Sequence, residues 1–473
     1  MQPYLEIFQQ LAAQHFNQDR PVSTPISAKD LKKIVDFSLG EEGAELAVLK
    51  QAAGHYLSYQ PDSAQVDFFK LLYSGRNNPA LLGDWVTSLS NANMHTYQMS
   101  PVATLMEQEL IDQWNRLVGF TSSSSTASQT GDGVMVSGGS QANLIGMMMA
   151  RHRVCPNIKA KGLGNHTLVA FVSDQAHYSG QKAANLLGIG TENLITVATD
   201  SQGRLCPAAL VEAIELSIEQ GHKPFYIGLT AGTTVLGAFD PVPECRAIAD
   251  QYNLWLHIDG AWGAPVLFSQ QHKHLLKGCE LADSFSWDAH KLMNVPITAA
   301  VILTRHKDML EHTCGGGGGD YLFHNDENAT HNLGQKSIQC GRRADALKVW
   351  LSWKAVGNNG FAEKVNRLQK LKQGCVEAIE ASAHLHMVGP APYLNVLFQY
   401  RPTTSLNEEQ LRELNIVLCK TMQTQGGAFV DYAIYQGKTG IRLILANSDT
   451  QADDINRLLT QCIKTGESLA NQG

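Results

Sequence analysis

From residue 133 to residue 304 short apolar runs alternate with amphipathic stretches. GVMVS (133–137), TLVAFVS (167–173), LITVATD (194–200), FYIGLT (225–230), LWLHID (254–259), DSFSW (283–287) and PITAAVIL (296–303) read as strands. The segments between them, SQANLIGMMMARHR, HYSGQKAANLLG, the stretch from Pro207 and PVPECRAIADQY, carry helical spacing. Strands alternating with helices predict βαβ units and a mostly parallel sheet, and the near-continuous apolar runs fit strands buried on both faces. Residues 1 to about 75 read as helical and polar-rich. After about residue 345 a long helical pattern, ALKVWLSWKAVGNNGFAEKVNRLQKLKQGCVEAIEA, precedes two strand patterns, YLNVLFQY and IRLILAN, with a helix, NEEQLRELNIVLCKTMQ, between them. The predicted organisation is a helical segment over 1–75, a large α/β domain over 76–345 and a small α+β domain over 346–473. TSSSSTAS (121–128) has the composition of a linker, and CGGGGGD (314–320) cannot hold regular structure cheaply.

Composition narrows the class. A chain of 473 residues is too long for one simple core. Its net charge of −7, with no basic run, argues against a partner bound through phosphate neutralisation, so no nucleic acid is expected. Nine dispersed cysteines without a CxxC pair suit a reducing compartment and no zinc site. The N-terminal MQPYLEIFQQLAAQHF reads as an amphipathic helix rather than a signal peptide, and no apolar run is long enough to span a bilayer. A cytoplasmic protein with no membrane partner is expected.

Ligands of such sheets sit at the carboxyl ends of the strands. Ser137-Gly138-Gly139-Ser140 opens a helix after the first strand; it is a phosphate cradle or a plain strand–helix turn. His177 follows the second strand, as a capping or surface histidine or as an imidazole stacked on a flat ring. Thr233 lies in the small-residue stretch AGTT after FYIGLT. Asp259 ends LWLHID and shares a face with Ala261; it is a helix cap, or the pair grips a heteroaromatic ring, carboxylate on a ring N–H and methyl under its face. Then comes SWDAHKLMNVP, with Lys291 at the lip of a core strand, where a lone ammonium is costly. A lysine Schiff base with an acid partnering a ring nitrogen is how pyridoxal 5′-phosphate (PLP) is held. The five strand ends together point to that cofactor.

The motifs SGGSQANL, AHYSGQKAA, AGTTVLGAFDPV, LHIDGAWGAP, SWDAHKLM and CGRRADALKVWLSWKAVG resemble the group II PLP-dependent amino acid decarboxylases over roughly residues 60 to 450. The glutamate, cysteine-sulfinate and aspartate decarboxylases are the most similar, with the 2,4-diaminobutyrate decarboxylases close behind. The resemblance implies PLP fold type I, like aspartate aminotransferase, and a homodimer with its sites at the subunit interface. It implies Lys291 as the cofactor's anchor, Asp259 on the ring nitrogen, and His177 and Ala261 on the two faces of the ring. Gly138, Gly139 and Ser140 resemble the phosphate loop, His290 lies beside it, and Thr233 resembles a residue near the ring hydroxyl. Tyr321, after the glycine run, resembles the tyrosine of a mobile catalytic loop that protonates the substrate carbon in the neighbouring subunit's site. Arg442, in GIRLILAN, aligns with an arginine that binds a substrate carboxylate.

The chain departs from the family at Ala289, where proline is common. It departs again in FFKLLYSG, where glutamate decarboxylases carry a glutamine at the position of Leu71 and a small hydroxyl residue at that of Tyr73. Losing a polar partner and gaining bulk favours an acid shorter than glutamate, such as aspartate or cysteine sulfinate. NVPITAA and DYL resemble the diaminobutyrate enzymes, so 2,4-diaminobutyrate is the alternative substrate. Another fold type I enzyme, such as an aminotransferase, is opposed by the CGRRADALKVWLSWKA stretch and the tyrosine loop, and a non-catalytic homologue by the presence of Lys291, Asp259, His177 and Tyr321.

Overall fold

The computed structural model describes residues 1–121, 131–316, 319, 321–324 and 326–471. Most of the Ser/Thr-rich stretch (122–130) and part of the glycine run (317, 318 and 320) lie outside them. The chain forms two compact units.

The larger unit comprises Arg76–Val376 and Gly389–Val396. Its centre is a seven-stranded sheet of β1 (Asp132–Val136), β2 (Leu168–Ser173), β3 (Leu194–Val197), β4 (Lys223–Thr230), β5 (Trp255–Asp259), β6 (Ser284–Asp288) and β7 (Ala300–Thr304), in the order β1-β7-β6-β5-β4-β2-β3. The pairs from β6 across to β3 are parallel. Only β7 is reversed, because the short segment after Lys291 turns the chain straight back beside β6 instead of crossing over through a helix. β1 and β6 both run against β7 and therefore along one another, so the carboxyl ends of six strands share one edge. The seven strand runs read between residues 133 and 304 each overlap a strand of this sheet.

β1, β2, β6 and β7 are buried along their whole length, as continuous apolar runs require when both faces are covered. Helix Gly139–Val154 packs over β5, β6 and β7. The long helical pattern Ala346–Glu380 is broken at Gly357, whose φ of 64° is left-handed and interrupts the helix. The helices Asn78–Ser90 and Pro101–Val118 also belong to this unit.

The smaller unit joins Met1–Gly75 to Glu377–Val388 and Leu397–Gly473. Helices Gln2–Asn17, Ala28–Ile34 and Leu46–Tyr59 carry its N-terminal part. Its four-stranded sheet has the order β10-β11-β9-β8, from β8 (Leu385–Met387), β9 (Asn395–Tyr400), β10 (Asp431–Tyr435) and β11 (Lys438–Ile444). Helices Glu408–Thr424 and Ala452–Ala470 pack together through buried Leu411, Leu418, Ile455 and Leu458. Among the described residues no helix is long and apolar enough to cross a membrane.

Candidate active site

Side chains alternate along a strand, so Trp255, His257 and Asp259 of β5 share one face, and Ser284, Ser286 and Asp288 of β6 share the same face beside them. The other face carries Leu256, Ile258, Phe285 and Trp287, all buried. A polar ladder therefore runs under helix Gly139–Val154 inside an otherwise apolar sheet. The helix face above it is cut from small residues. A Cβ at Gly139 would stand 2.9 Å from Asp288 Oδ2 and 3.1 Å from the Ala261 methyl. These distances are too short for any side chain, so glycine brings the helix start down onto the strand ends.

At that edge Asp288 Oδ2 lies 3.4 Å from Lys291 Nζ and 3.4 Å from His290 Nε2. Asp288 is 2% exposed, and its Oδ1 is buried without a hydrogen-bond partner. His290 borders Gly138, and its Nδ1 is 2.9 Å from the Ala299 carbonyl. Burial pushes the His290 imidazole below the ordinary histidine value, against the opposing pull of Asp288. One strand over, Asp259 Oδ1 accepts from the Ala261 amide at 3.0 Å and Oδ2 from the Asn143 side-chain amide at 2.7 Å. His177 and Asp259 line one small cavity at the ends of β2, β4 and β5. Burial also lowers the His177 pKa; Asp259 opposes this and Lys291 adds to it. The His177 Nδ1 accepts from the Ser179 amide at 3.2 Å, which fixes the ring at the start of its helix.

Gly138 caps helix Gly139–Val154 without a side chain, so the first backbone N–H groups, those of Gly139 and exposed Ser140 among them, are available to an anion. Thr233 is fully buried, and its hydroxyl accepts from the Ala238 amide within its own turn. Tyr321 is 75% exposed. Leu71, Tyr73 and Arg442 fall in the smaller unit. There the chain from Asp67 to Phe69 is held by backbone bonds to Phe429 and Ile444. Arg442 on β11 donates to the Lys70 carbonyl at 2.7 Å, next to half-buried Leu71, and the Tyr73 ring lies 6.1 Å from that of Phe68. Burial lowers the pKa of the Arg442 guanidinium.

Five residues of this architecture carry no role in the sequence analysis: Asp288, Asn143, His257, Lys348 and Asn77. Asp288 ends a strand as Asp259 does, and the same signal marks it. Asn143 and His257 belong to the polar ladder. Lys348, 1% exposed, donates to the carbonyls of Pro296 and Thr298 at 3.1 and 2.7 Å and pairs with Asp345 at 2.8 Å. With Asn77, which donates to the Met293 carbonyl at 3.0 Å, it pins the segment that follows Lys291.

The residues present fit PLP: an amine beside an acid at one strand end, a second acid held by two donors, and an open helix N-terminus between them. The fold and this edge define a fold type I, PLP-dependent enzyme. The pyridoxal-dependent decarboxylase conserved domain matches residues 29–401, and the chain belongs to that family: it is an amino acid decarboxylase that uses pyridoxal 5′-phosphate. The chain is 34% identical over 452 residues to the acidic amino acid decarboxylase GADL1 of Bos taurus, covering 93% of this chain and 85% of the relative. It is 33% identical over 453 residues to the cysteine sulfinic acid decarboxylase of Homo sapiens, covering 93% and 90%. The crystal structure of mouse CSAD superposes with a TM-score of 0.91 at 31% identity, covering 98% of this chain and 97% of that one.

Proposed function

We propose that this enzyme decarboxylates a small acidic L-amino acid, aspartate or cysteine sulfinate, at the edge formed by the ends of β1, β2, β4, β5 and β6. The observation that carries the reading is the pairing of Lys291 and Asp288 beside the Gly138–Gly139 helix start, with Asp259 one strand away. PLP, when bound, supplies a ring that accepts the electron pair released as the Cα–carboxylate bond breaks. Lys291 anchors it through its amine. Asp259, held at both oxygens, keeps a proton on the ring nitrogen. His177 and Ala261 bracket the ring and exclude water from its faces. The amides of Gly138, Gly139 and Ser140 hold the phosphate, with His290 alongside, and Thr233 shapes the turn near the ring hydroxyl. Tyr321 delivers a proton to the substrate carbon after CO2 leaves.

An acidic substrate is supported by the two relatives, an acidic amino acid decarboxylase and a cysteine sulfinic acid decarboxylase. The family resemblance assigns Arg442 to a substrate carboxylate, for which a planar guanidinium is suited whatever the side chain. Leu71 and Tyr73 stand where glutamate decarboxylases carry a glutamine and a small hydroxyl residue, a replacement that favours a shorter acid. The reading includes a homodimer in which Tyr321 serves the partner's site. Helices Asn78–Ser90 and Pro101–Val118 support it: each exposes apolar residues at helical spacing, Leu82 and Leu89 (80% exposed) on the first and Val102 (65%) and Leu105 on the second, and large exposed apolar side chains mark interaction surfaces. Nine cysteines, none of them in a disulfide, support a cytoplasmic location. The test is CO2 release over aspartate, cysteine sulfinate, glutamate, 2,4-diaminobutyrate and aromatic amino acids. Preference for aspartate or cysteine sulfinate is expected; preference for 2,4-diaminobutyrate or an aromatic amino acid overturns the substrate assignment.

A further inference from the structure

We propose that Asn143 is a positioning residue for Asp259, holding its carboxylate toward the cofactor's ring nitrogen at the end of a one-way chain of hydrogen bonds that runs through His257. The proposal rests on the reading of Asp259 given above.

The direction of the chain follows from what each group can do. The Trp255 indole N–H can only donate, and it reaches Ser284 Oγ at 2.8 Å. Ser284 Oγ lies 2.8 Å from His257 Nδ1. A hydroxyl can both accept from the indole and either give or take a hydrogen here, so the direction is set from the far end. There the Asp259 carboxylate can only accept, takes an N–H of Asn143 and leaves Asn143 Oδ1 as an acceptor. The single proton of a neutral imidazole is then on Nε2, which donates to Asn143 Oδ1 at 3.0 Å. Burial pushes the His257 pKa down to about 4, so the ring is neutral at physiological pH. Ser286 Oγ donates to the same oxygen at 2.8 Å. With Oδ1 accepting two hydrogens, the Asn143 amide nitrogen is turned to Asp259 Oδ2 at 2.7 Å and Ser179 Oγ at 3.0 Å. The flipped amide would set a carbonyl against a carboxylate and an N–H against an N–H, so the network itself decides the orientation.

Trp255, His257, Ser284 and Ser286 are at most 1% exposed, and Asn143 is 7% exposed. A polar ladder at this depth costs stability unless every member is satisfied. An apolar face would have filled the space; this one instead ends on the carboxylate that faces the ring. The helix is shaped to keep it. A Cβ at Gly146, on the same helix face as Asn143, would stand 2.7 Å from His257 Nδ1 and displace the ring.

The test loads wild type, Asn143→Ala, Ser286→Ala and Asp259→Ala with PLP, or with the analogue that has carbon in place of the ring nitrogen. Cofactor affinity is read by visible absorbance and turnover by CO2 release. Loss of a hydrogen bond to a charged group predicts that Asn143→Ala binds PLP roughly tenfold more weakly and loses about ten- to a hundredfold in kcat, with KM little changed. Ser286→Ala, a milder change, follows the same pattern at about threefold. Both variants bind the carbon analogue as wild type does, because there is no ring nitrogen for Asp259 to hold. Equal weakening of PLP and of the analogue would show that Asn143 acts only through the fold, and would overturn the proposal. Asp259→Ala separates the two readings. If it fails while Asn143→Ala and Ser286→Ala behave as wild type, Asn143's role is wrong and Asp259's stands. If Asp259→Ala itself behaves as wild type, the placement of Asp259 falls and this proposal with it.

Discussion

His257 makes the stability of the fold depend on pH in a way that a single substitution isolates. The ring is fully buried, and desolvation lowers its pKa from 6.5 to about 4. Between those values the unfolded chain binds a proton that the native protein does not. The native state's advantage is therefore complete above pH 6.5 and is lost as pH falls toward 4. The interval from 6.5 to about 4, at about 1.4 kcal/mol per pH unit, comes to about 3.5 kcal/mol. Asp240 works in the opposite sense. Burial raises its pKa to about 7, against the donated amides of Leu205 and Thr230, so acidification below 7 stabilises the native state through this group. Wild type alone would show both effects mixed. Comparing wild type with His257→Gln cancels Asp240 and leaves the histidine. At about pH 7 the variant is expected to be less stable by about 1–3 kcal/mol, the cost of disturbed buried hydrogen bonds. Near pH 4.5 wild type has given up most of its advantage, and the gap closes or inverts. The assay is urea denaturation of both apo-proteins across this range, so that cofactor binding does not contribute by mass action. A gap that stays constant from about pH 7 to about pH 4.5 would refute the buried neutral histidine.

Two other expectations concern single residues. Asp283, just ahead of β6, accepts from Arg246, Arg305, His306 and the Leu256 amide, and these partners hold its pKa down at about 2 against burial. Asp283→Ala leaves the buried Arg246 short of a partner and is expected to cost about 3–5 kcal/mol in denaturant unfolding, with kcat nearly unchanged; a cost under about 1 kcal/mol contradicts the buried network. Tyr321→Phe is expected to shift products from amine toward the aldehyde of decarboxylation-dependent transamination, resolved by chromatography; unchanged products remove Tyr321 from proton delivery.

The strand–helix alternation from 133 to 304 was legible because both periods are strong there and each strand is a short apolar run. The reversal of β7 was not, since pairing direction depends on how the chain turns after Lys291 rather than on the strand's own composition. Likewise Gly357 breaks a helical pattern whose spacing continues on either side. Grouping of residues 1–75 with 397–473 is a long-range packing outcome that no local pattern carries. Within the site, Lys291, Asp259 and His177 stood out because each is a costly residue at a strand end. Asp288 carried the same mark. Asn143 did not, because an asparagine inside an amphipathic helix reads as a surface position until the strands beneath it are known. Its partners were readable in principle: LHID and SFSWD alternate apolar residues with His, Ser and Asp, which is the signature of one polar face inside a buried sheet.

Everything proposed for the site depends on Lys291 holding the PLP of this decarboxylase covalently. Borohydride reduction of the holoenzyme, followed by proteolysis and mass spectrometry, tests it directly. A phosphopyridoxyl group is expected on the peptide containing SWDAHKLM, at Lys291, and on no other lysine; the label on a different lysine, or on none, would show that Lys291 is not the anchor.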